Sequence, residues 1–302
     1  MQRQIIVSGF HRSGTSMTMQ ALVNAGLYAG NSLIGGDPSN PDGHFEDIDT
    51  VNLHDAWLRE LGSDWCHTGE LPQIEAAKAT LGIAPIRDRL NESQRHWGVK
   101  DPRTCLFLKH WFNTLDNPAG VFIYRHYASC LHSLQRRQAN ELLVYPTTSE
   151  NAIRFWTKPE IALQSWLQHN NAILTTAREF PKACVVVSQE AVINGAPLIS
   201  TVNDVLSLSL DTQCDLGVDA SKTAHRRELP LLNSSLQGEL EETWAQLQHI
   251  AALPNEQEPQ LRWIQPQCVT VQHQATPASL VAQWDRLGVT QSQSALRISD
   301  GS

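Results

Sequence analysis

Four short apolar segments punctuate the chain at residues 4–7, 97–99, 121–124 and 184–187, and a polar or glycine-containing stretch follows each of them. Continuous apolar runs of this length are typical of strands that are buried on both faces, as in a parallel sheet. The pattern therefore predicts four parallel strands.

Helical patterns separate these strands. After the first strand, apolar residues recur at helical spacing from Met19 to Leu27, and Gly26 is placed to cap the end of that helix. Further helices are expected at residues 104–112, 128–139, 159–180 and 197–208. The alternating order predicts an α/β fold, a doubly wound and mainly parallel sheet with helices on both faces.

The last part of the chain has a different pattern. Apolar stripes at residues 236–251 and 280–287 predict two packing helices. With 302 residues in all, we expect one main domain at residues 1–230 and a C-terminal helical extension at residues 231–302 that packs on it.

Two connections are rich in polar residues. Residues 35–43 (GGDPSNPDG) are dense in turn formers and predict a long loop over the carboxyl edge of the sheet. Residues 140–157 are compatible either with a lid or with a solvated crossover, because loop composition alone does not separate the two.

Composition excludes several classes of protein. The chain is 41% hydrophobic and 18% charged, which is typical of a globular protein. Its net charge of −8 argues against nucleic-acid binding but is compatible with one anionic ligand in a local basic pocket. The six cysteines form no C-x-x-C pair, so neither a zinc site nor a disulfide framework is indicated. The apolar runs are too short for a membrane span or a signal peptide, so we expect the protein to be located in the cytoplasm.

The strongest local signal is the segment at residues 9–16 (GFHRSGTS), called the glycine loop below. It follows a predicted strand and opens a predicted helix, so its backbone N–H groups and the helix dipole can bind a phosphate. It matches the pattern G-x-x-x-x-G-K-[ST] except that Thr15 stands in the lysine position, while Arg12 places a cation two residues before Gly14. Losing that lysine weakens an ATP-hydrolysing interpretation. The alternative is a glycine turn that only joins strand to helix.

The R-S-G-T-S string resembles the loop with which sulfotransferases bind the 5′-phosphosulfate of their donor. Arg12, Ser13, Gly14, Thr15 and Ser16 match that motif. The resemblance implies that these five residues bind the donor and that Arg12 reaches the group that is transferred.

A second element resembles the 3′-phosphate motif of the same family. The third strand ends in Arg125-His126, and Ser133 lies eight residues after Arg125, on the predicted helix. In the family, the strand-end arginine and the helical serine hold the 3′-phosphate together, and a guanidinium suits that ligand. Tyr127 departs from the proline that is frequent there. The alternative is a strand-closing arginine and an exposed serine.

Residues 100–103 (KDPR) follow the second strand and resemble the K-D-x-R string of carbohydrate sulfotransferases and their bacterial relatives. Lys100 is therefore expected to be the second cation of the reacting centre, beside Arg12. Asp101 and Arg103 are candidates for supporting roles, and an internal ion pair between them is the alternative.

Residues 40–47 (NPDGHFED) resemble the N-P-x-G-x-F-E-D loop of bacterial members of the superfamily. Transfer to a hydroxyl needs a base, and Glu46 is the first candidate. His44 is the second, because the ordinary histidine pKa suits proton transfer at neutral pH. Pairing of Glu46 with Arg103, or capping of a turn by Glu46, is the structural alternative. His54, Asp55 and Trp57, on a predicted helix after this loop, are candidates for an acceptor pocket.

Two weaker matches lie farther along the chain. A basic cluster precedes residue 228 and consists of Lys222, His225, Arg226 and Arg227. It is either a segment that closes over the nucleotide or a solvated charged face. Residue 189, where many relatives have tyrosine, is Gln189.

The resemblance to sulfotransferases covers about residues 4–230 and implies a sulfuryl transfer. The donor is 3′-phosphoadenosine 5′-phosphosulfate, the product is adenosine 3′,5′-bisphosphate, and the acceptor is a hydroxyl or amine of a small molecule or glycan. No metal and no nucleic-acid partner are expected. Two alternatives stay open, which are a nucleotide kinase with an aberrant loop and a catalytically silent nucleotide-binding member of the family.

Overall fold

A parallel four-stranded sheet lies at the centre of the computed structural model, which describes residues 2–36, 43–144, 150–215, 217, 228–230, 232–255 and 262–264. The strands are β1 (Gln4–Ser8), β2 (Trp97–Lys100), β3 (Pro118–Tyr124) and β4 (Cys184–Ser188). Their order across the sheet is β2-β1-β3-β4, and all neighbours are parallel. The four predicted strands are confirmed, each with a small extension.

Helices surround the sheet in the described part of the chain. Their bounds are α1 (Thr15–Asn24), α2 (Ile48–Glu60), α3 (Ala76–Asn91), α4 (Leu108–Thr114), α5 (Tyr127–Val144), α6 (Arg154–Thr157), α7 (Pro159–Glu179), α8 (Gln189–Ile193), α9 (Leu198–Leu206) and α10 (Ser234–Ile250). Short 3₁₀ helices occupy Pro102–Phe107 and Glu150–Ile153.

Alternate residues of each strand face opposite sides of the sheet. Ile5 and Val7 pack with apolar residues of α1 and α9 on one face. Ile6 and Phe122, on the other face, belong to a larger cluster with α2, α3, α4, α5, α7 and α10. Helices therefore cover both faces, and the predicted doubly wound α/β fold is confirmed.

One helical prediction needs correction, and one long helix was not predicted. Residues 104–112 are not one α-helix, because the 3₁₀ helix that starts at Pro102 precedes α4. At the start of this 3₁₀ helix, the side chain of Asp101 accepts a hydrogen bond from the N–H of Arg103. Helix α3 was missed, since Gly82 and Pro85 interrupt its pattern. A Cβ at Gly82 would lie 2.6 Å from Cδ1 of Leu53, so the glycine lets α3 approach α2 closely.

The polar connection at residues 140–157 is largely helical where it is described. Helix α5 continues to Val144, and the 3₁₀ helix Glu150–Ile153 leads directly into α6. Gly26, with φ +102°, follows the end of α1 and confirms the predicted cap.

Helix α10 packs against α7, and Leu236, Leu240 and Leu247 join the same apolar cluster as the sheet. Two short strands, β5 (Glu228–Pro230) and β6 (Arg262–Ile264), pair in parallel and were not predicted. The stripe at residues 280–287 lies outside the described residues, and the boundary at residue 230 stays a prediction. None of the described helices combines the length and apolar character that a membrane crossing requires.

Candidate functional site

The strand order creates a crevice at the carboxyl edge of the sheet. The chain leaves β1 toward β2 and leaves β3 toward β4, so the connections after the adjacent strands β1 and β3 diverge. Ligands of open α/β sheets bind at such a switch point. The glycine loop follows β1, and Arg125 follows β3, so both elements border this crevice.

The glycine loop is held directly against β3. A Cβ at Gly9 would lie 2.1 Å from the carbonyl oxygen of Ile123, so only glycine permits this approach. The Ser13 hydroxyl donates to the same carbonyl at 3.2 Å, and Gly14 has φ +99°. The predicted strand, loop and helix arrangement is confirmed.

Helix α1 begins directly after Gly14, and no side chain caps its N-terminus. The first N–H groups of a helix have no partner within the helix, and the helix dipole adds partial positive charge at this end. Thr15 is buried, and the Ser16 hydroxyl lies at the crevice, where it donates to the carbonyl of His44 at 3.3 Å. The loop and helix end thus provide an anion-binding geometry.

The two predicted nucleotide motifs meet. Nη1 of Arg125 donates to the carbonyl oxygen of Arg12 at 3.1 Å, and Nε of Arg12 donates to the hydroxyl of Ser133 at 3.0 Å. Arg12 has φ +67°, in the left-handed region that non-glycine residues seldom adopt, and this backbone conformation supports the turn of its side chain toward α5. Residues 12, 125 and 133 therefore form one contiguous surface of the crevice.

The electrostatics of this surface favour an anion. Burial, followed by the charges of Arg137 and Arg125, lowers the pKa of Arg12 to about 10. Burial also lowers the pKa of Arg125. Within the described ranges, Arg12 forms no ion pair with a carboxylate. A bound anion would relieve the cost of holding these guanidinium groups close together away from water.

Lys100 connects the end of β2 to the glycine loop. Its Nζ is buried and donates to Ser16 Oγ at 3.0 Å, to the carbonyl of His44 at 3.0 Å and to Glu46 Oε1 at 2.7 Å. Burial lowers the pKa of Lys100, and Glu46 opposes that shift only in part. The structure thus brings the predicted second cation and the predicted base into direct contact.

Glu46 lies between two cations. Its Oε2 is 3.4 Å from Nη2 of Arg103, in addition to its contact with Lys100. The structural alternative, pairing of Glu46 with Arg103, is therefore present, and the role of base stays a prediction. His44 contributes its backbone carbonyl to this network, and its role as a base also stays a prediction.

Asp101 and Arg103 form the internal ion pair that was the alternative to a direct role. Nε of Arg103 lies 2.9 Å from Asp101 Oδ1, and Nδ1 of His54 lies 2.7 Å from Asp101 Oδ2. Burial alone would raise the pKa of Asp101, but Arg103 and then His54 outweigh burial and hold it well below its ordinary value. This pair orients Arg103 toward Glu46.

The expectation that His54 and Trp57 line an acceptor pocket is wrong. His54 is fully buried, stacks on Phe107 and accepts a hydrogen bond from Trp111 Nε1 at 2.9 Å. Trp57 is also in the core. Both residues lie on the side of α2 that packs inward. Asp55 is half-exposed and pairs with Arg103 at 2.8 Å.

Two residues near the crevice were not assigned a role from the sequence. His11 precedes Arg12 in the glycine loop, and its ring packs 4.4 Å from the ring of Trp65. Gln189, at the start of α8, packs over Gly14. A Cβ at Gly14 would lie 3.0 Å from Cγ of Gln189, which shows how close the two residues are. The Nε2 atom of His11 and the Oε1 atom of Gln189 are buried without a hydrogen-bond partner in the described structure. The sequence did carry a signal for both residues. His11 lies within the glycine loop, and Gln189 directly follows the carboxyl end of β4.

The basic cluster formed by Lys222, His225, Arg226 and Arg227 lies outside the described residues, as do residues 40–42 of the loop that carries Glu46. Nucleotide contact by this cluster stays a prediction. Over the described ranges, no group of three or more His, Cys, Asp and Glu side chains is arranged to hold a metal ion.

No family model and no curated protein matches this chain. Among solved structures, the fold is similar to the sulfotransferase domain from the curacin biosynthetic pathway, with 17% identity, coverage of 84% of this chain and 98% of that domain, and a TM-score of 0.45. It is also similar to the sulfotransferase STF1 from Mycobacterium tuberculosis H37Rv, with 14% identity, coverage of 80% and 77%, and a TM-score of 0.38. The function has to be inferred from the residues of the crevice.

Proposed function

We propose that the protein is a sulfotransferase that moves the sulfuryl group of 3′-phosphoadenosine 5′-phosphosulfate to a hydroxyl or amine of a small molecule or glycan. The observation that carries this proposal is the contact between the two nucleotide motifs. Arg12 and Ser133 are 121 residues apart in the chain, and Arg12 and Arg125 are 113 apart, yet each pair is joined by a hydrogen bond.

This contact matches the charge distribution of the donor. The donor carries a phosphosulfate at the 5′ position and a phosphate at the 3′ position of one ribose, so its two anionic ends need two binding sites separated by one sugar. The uncapped N-terminus of α1 suits the first anion. Arg125 and Ser133 suit the second, since a guanidinium and a hydroxyl both donate to phosphate oxygens.

The chemistry needs a cation at the group that is transferred. Lys100 Nζ lies 3.0 Å from Ser16 Oγ, at the mouth of the glycine loop, and is the buried cation best placed to stabilise charge on the leaving phosphate oxygen. The acceptor oxygen forms a bond to sulfur while the bond between sulfur and the bridging phosphate oxygen breaks. The acceptor proton passes to the base, for which Glu46 is the first candidate and His44 the second.

Contact with Lys100 suggests how Glu46 would become available as a base. A phosphosulfate beside Ser16 competes with Glu46 for the Lys100 ammonium, because both are anions that accept from the same Nζ. Donor binding would then release the Glu46 carboxylate for the acceptor. Arg103, held by Asp101, remains as its second partner.

A nucleotide kinase is disfavoured by the loop itself. The lysine that such enzymes place on the β- and γ-phosphates is replaced by Thr15, and the Thr15 side chain is buried. A catalytically silent nucleotide-binding protein predicts the same binding without transfer.

Thermal stabilisation by nucleotides tests the proposal. A ligand at about 100 times its Kd stabilises a protein by about 2.7 kcal/mol, so adenosine 3′,5′-bisphosphate should raise Tm clearly, and more than ATP with magnesium does. A larger effect of ATP with magnesium would contradict the proposal. Incubation with donor labelled in its sulfate, followed by detection of labelled acceptor, separates an enzyme from a silent binding protein.

A further inference from the structure

A cavity of about 230 Å³ lies between the turn after α2, the second half of α5 and the segment that contains α6. Its lining includes Asp64, Trp65, Arg137, Glu141, Arg154 and Phe155.

One wall residue of this cavity, Trp65, contacts the glycine loop. The ring of Trp65 lies 4.4 Å from the ring of His11, which directly precedes Arg12. Arg137 lies one helical turn beyond Ser133 on α5, and its charge acts on both Arg12 and His11. An acceptor must touch the sulfuryl group, so it has to bind in a space that borders this loop.

The charges around the cavity are balanced. Nη1 of Arg154 lies 2.5 Å from Oδ2 of Asp64, and Nε of Arg137 lies 2.6 Å from Oε1 of Glu141. An anionic acceptor would meet two carboxylates, and a cationic acceptor would meet two guanidinium groups. An uncharged acceptor with hydroxyl groups meets no such repulsion, and it can both donate to the carboxylates and accept from the arginines.

The walls of the cavity combine these polar groups with aromatic faces. The rings of Trp65 and Phe155 are 5.7 Å apart, and the guanidinium carbon of Arg154 lies 5.0 Å from each ring centre. Flat aromatic walls suit the C–H face of a saturated ring, and the arginines and carboxylates suit its hydroxyl groups. The volume is below the ~300–1,000 Å³ of pockets for drug-sized ligands, which favours a single ring.

We propose that this cavity is the acceptor site and that it binds an uncharged monosaccharide unit, free or at the end of a glycan. This inference rests on the proposed sulfotransferase function, and it adds the class of acceptor and the residues that select it.

Saturation-transfer NMR with methyl glycosides tests the site without requiring turnover. The probes are the methyl glycosides of glucose, galactose and N-acetylglucosamine, compared with glucuronic acid, glucosamine and para-cresol, all in the presence of adenosine 3′,5′-bisphosphate. We expect signals for one or more neutral glycosides and weaker signals for the charged sugars and the phenol. No signal from any neutral glycoside, or a stronger signal from a charged sugar or the phenol, would overturn the proposal.

Two variants locate the binding. Trp65→Ala removes an aromatic wall, and Ala152→Phe fills the cavity from the 3₁₀ helix Glu150–Ile153. Each should weaken glycoside binding about tenfold or more, as the loss of a central aromatic contact does. Leu81→Ala, at an exposed position on α3, is the control and should change nothing. Glycoside binding that survives in both cavity variants would overturn the assignment.

The nucleotide separates failure of this inference from failure of the proposed function. Stabilisation by adenosine 3′,5′-bisphosphate should be the same in Ala152→Phe as in the wild type, which also shows that this variant is folded. Because Trp65 contacts His11 of the glycine loop, the folding of Trp65→Ala is checked by its urea unfolding transition instead. If neutral glycosides bind in the cavity but the nucleotide does not bind, the sulfotransferase proposal fails and the sugar site stands. If the nucleotide binds and the glycosides do not, only the acceptor proposal fails.

Discussion

Lys100 donates to Glu46 across 2.7 Å in a buried part of the crevice, where the Lys100 side chain is 2% exposed and the Glu46 side chain 10%. The residues come from β2 and from the loop before α2, 54 positions apart in the chain. Because Lys100 also contacts Ser16, the pair ties the loop that carries the candidate base to the loop that would carry the donor.

The first prediction concerns stability. Glu46→Gln leaves the buried Lys100 ammonium without its carboxylate, and breaking a buried pair from one side costs about 3–5 kcal/mol. Lys100→Met should be costly as well, because Arg103 is then the remaining ion-pair partner of Glu46 among the described residues. The double variant should lose less than the sum of the two single losses, since neither charge is left alone. Urea unfolding of the four proteins measures this coupling, and additive losses would show that the pair does not interact.

The second prediction concerns the role of Glu46 as a base. At a saturating concentration of donor, Glu46→Gln should lower kcat by about 10²–10⁴, which is the usual contribution of general-base catalysis. Stabilisation by adenosine 3′,5′-bisphosphate should persist. Asp55→Asn is the matched control, because it removes another carboxylate from Arg103 at a half-exposed position, and it should reduce kcat much less. If Glu46→Gln keeps its kcat, the role of base passes to His44.

The third prediction concerns the 3′-phosphate. Arg125→Ala removes the guanidinium that lies between the glycine loop and α5, so the variant should lose its preference for adenosine 3′,5′-bisphosphate over adenosine 5′-phosphate. A charge-assisted contact to phosphate contributes about 1.5–3 kcal/mol, which predicts a loss of roughly tenfold to a hundredfold in affinity for the bisphosphate alone. Isothermal titration with both nucleotides checks this. Arg178→Ala, on the surface of α7, should keep the preference. Unchanged discrimination by Arg125→Ala would remove this arginine from the site.

The elements that the sequence predicts well are local ones. The glycine loop can be predicted because a strand, a turn with a glycine in the left-handed region and a helix follow one another within a few residues. The four strands can be predicted because burial on both faces requires continuous apolar runs. Helix α3 cannot be predicted in this way, since Gly82 and Pro85 are unfavourable in a helix and packing against α2 outweighs their effect.

Contacts between distant motifs cannot be obtained from spacing. The sequence indicates Lys100 and Glu46 as separate candidates, but only the fold shows that they pair. His54 illustrates the same limit, because a helical pattern places it on α2 without deciding that it turns inward to Asp101 and Trp111. The cavity at Trp65 is formed by three segments whose residues show no common motif.

The fourth prediction concerns the approach of the glycine loop to β3. Gly9→Ala would place a methyl group 2.1 Å from the Ile123 carbonyl and 2.7 Å from Ser13 Oγ, so the loop must move away from β3. We expect a loss of stability of about 1–3 kcal/mol from this overpacking, together with weaker nucleotide binding. Gly238→Ala is the control, since this position in α10 has open space and alanine is the better helix former, and it should stabilise the protein by up to about 1 kcal/mol. Wild-type stability in Gly9→Ala would show that the loop has room that this structure does not show.

The last prediction concerns the buried histidine beside the glycine loop. His169 lies on α7 with its ring 5.1 Å from Phe10 and 5.9 Å from His11, and its Nδ1 contacts the carbonyl of Ser165. Burial lowers the pKa of His169 from its ordinary 6.5 to about 4, and the hydrogen bond to Ser165 and the charge of Asp101 oppose the shift without cancelling it.

The sign of the pH dependence follows from this shift. Between pH 6.5 and pH 4 the unfolded chain protonates this histidine and the folded chain does not, so the unfolded state binds more protons. The contribution of His169 to stability is therefore complete above pH 6.5 and is lost as pH falls toward 4. Between pH 7 and pH 5 the expected loss is about 2 kcal/mol.

His169→Asn tests this, because the asparagine amide can still donate to the Ser165 carbonyl but does not titrate. The variant should be less stable than the wild type at neutral pH, but its free energy of unfolding should fall by about 2 kcal/mol less between pH 7 and pH 5. His249→Gln, at an exposed position on α10, should retain the wild-type pH dependence. Urea unfolding at a series of pH values measures all three proteins. Parallel curves for the wild type and His169→Asn would mean that His169 is protonated in the folded protein as readily as in the unfolded chain, and that the interior beside the glycine loop is accessible to water.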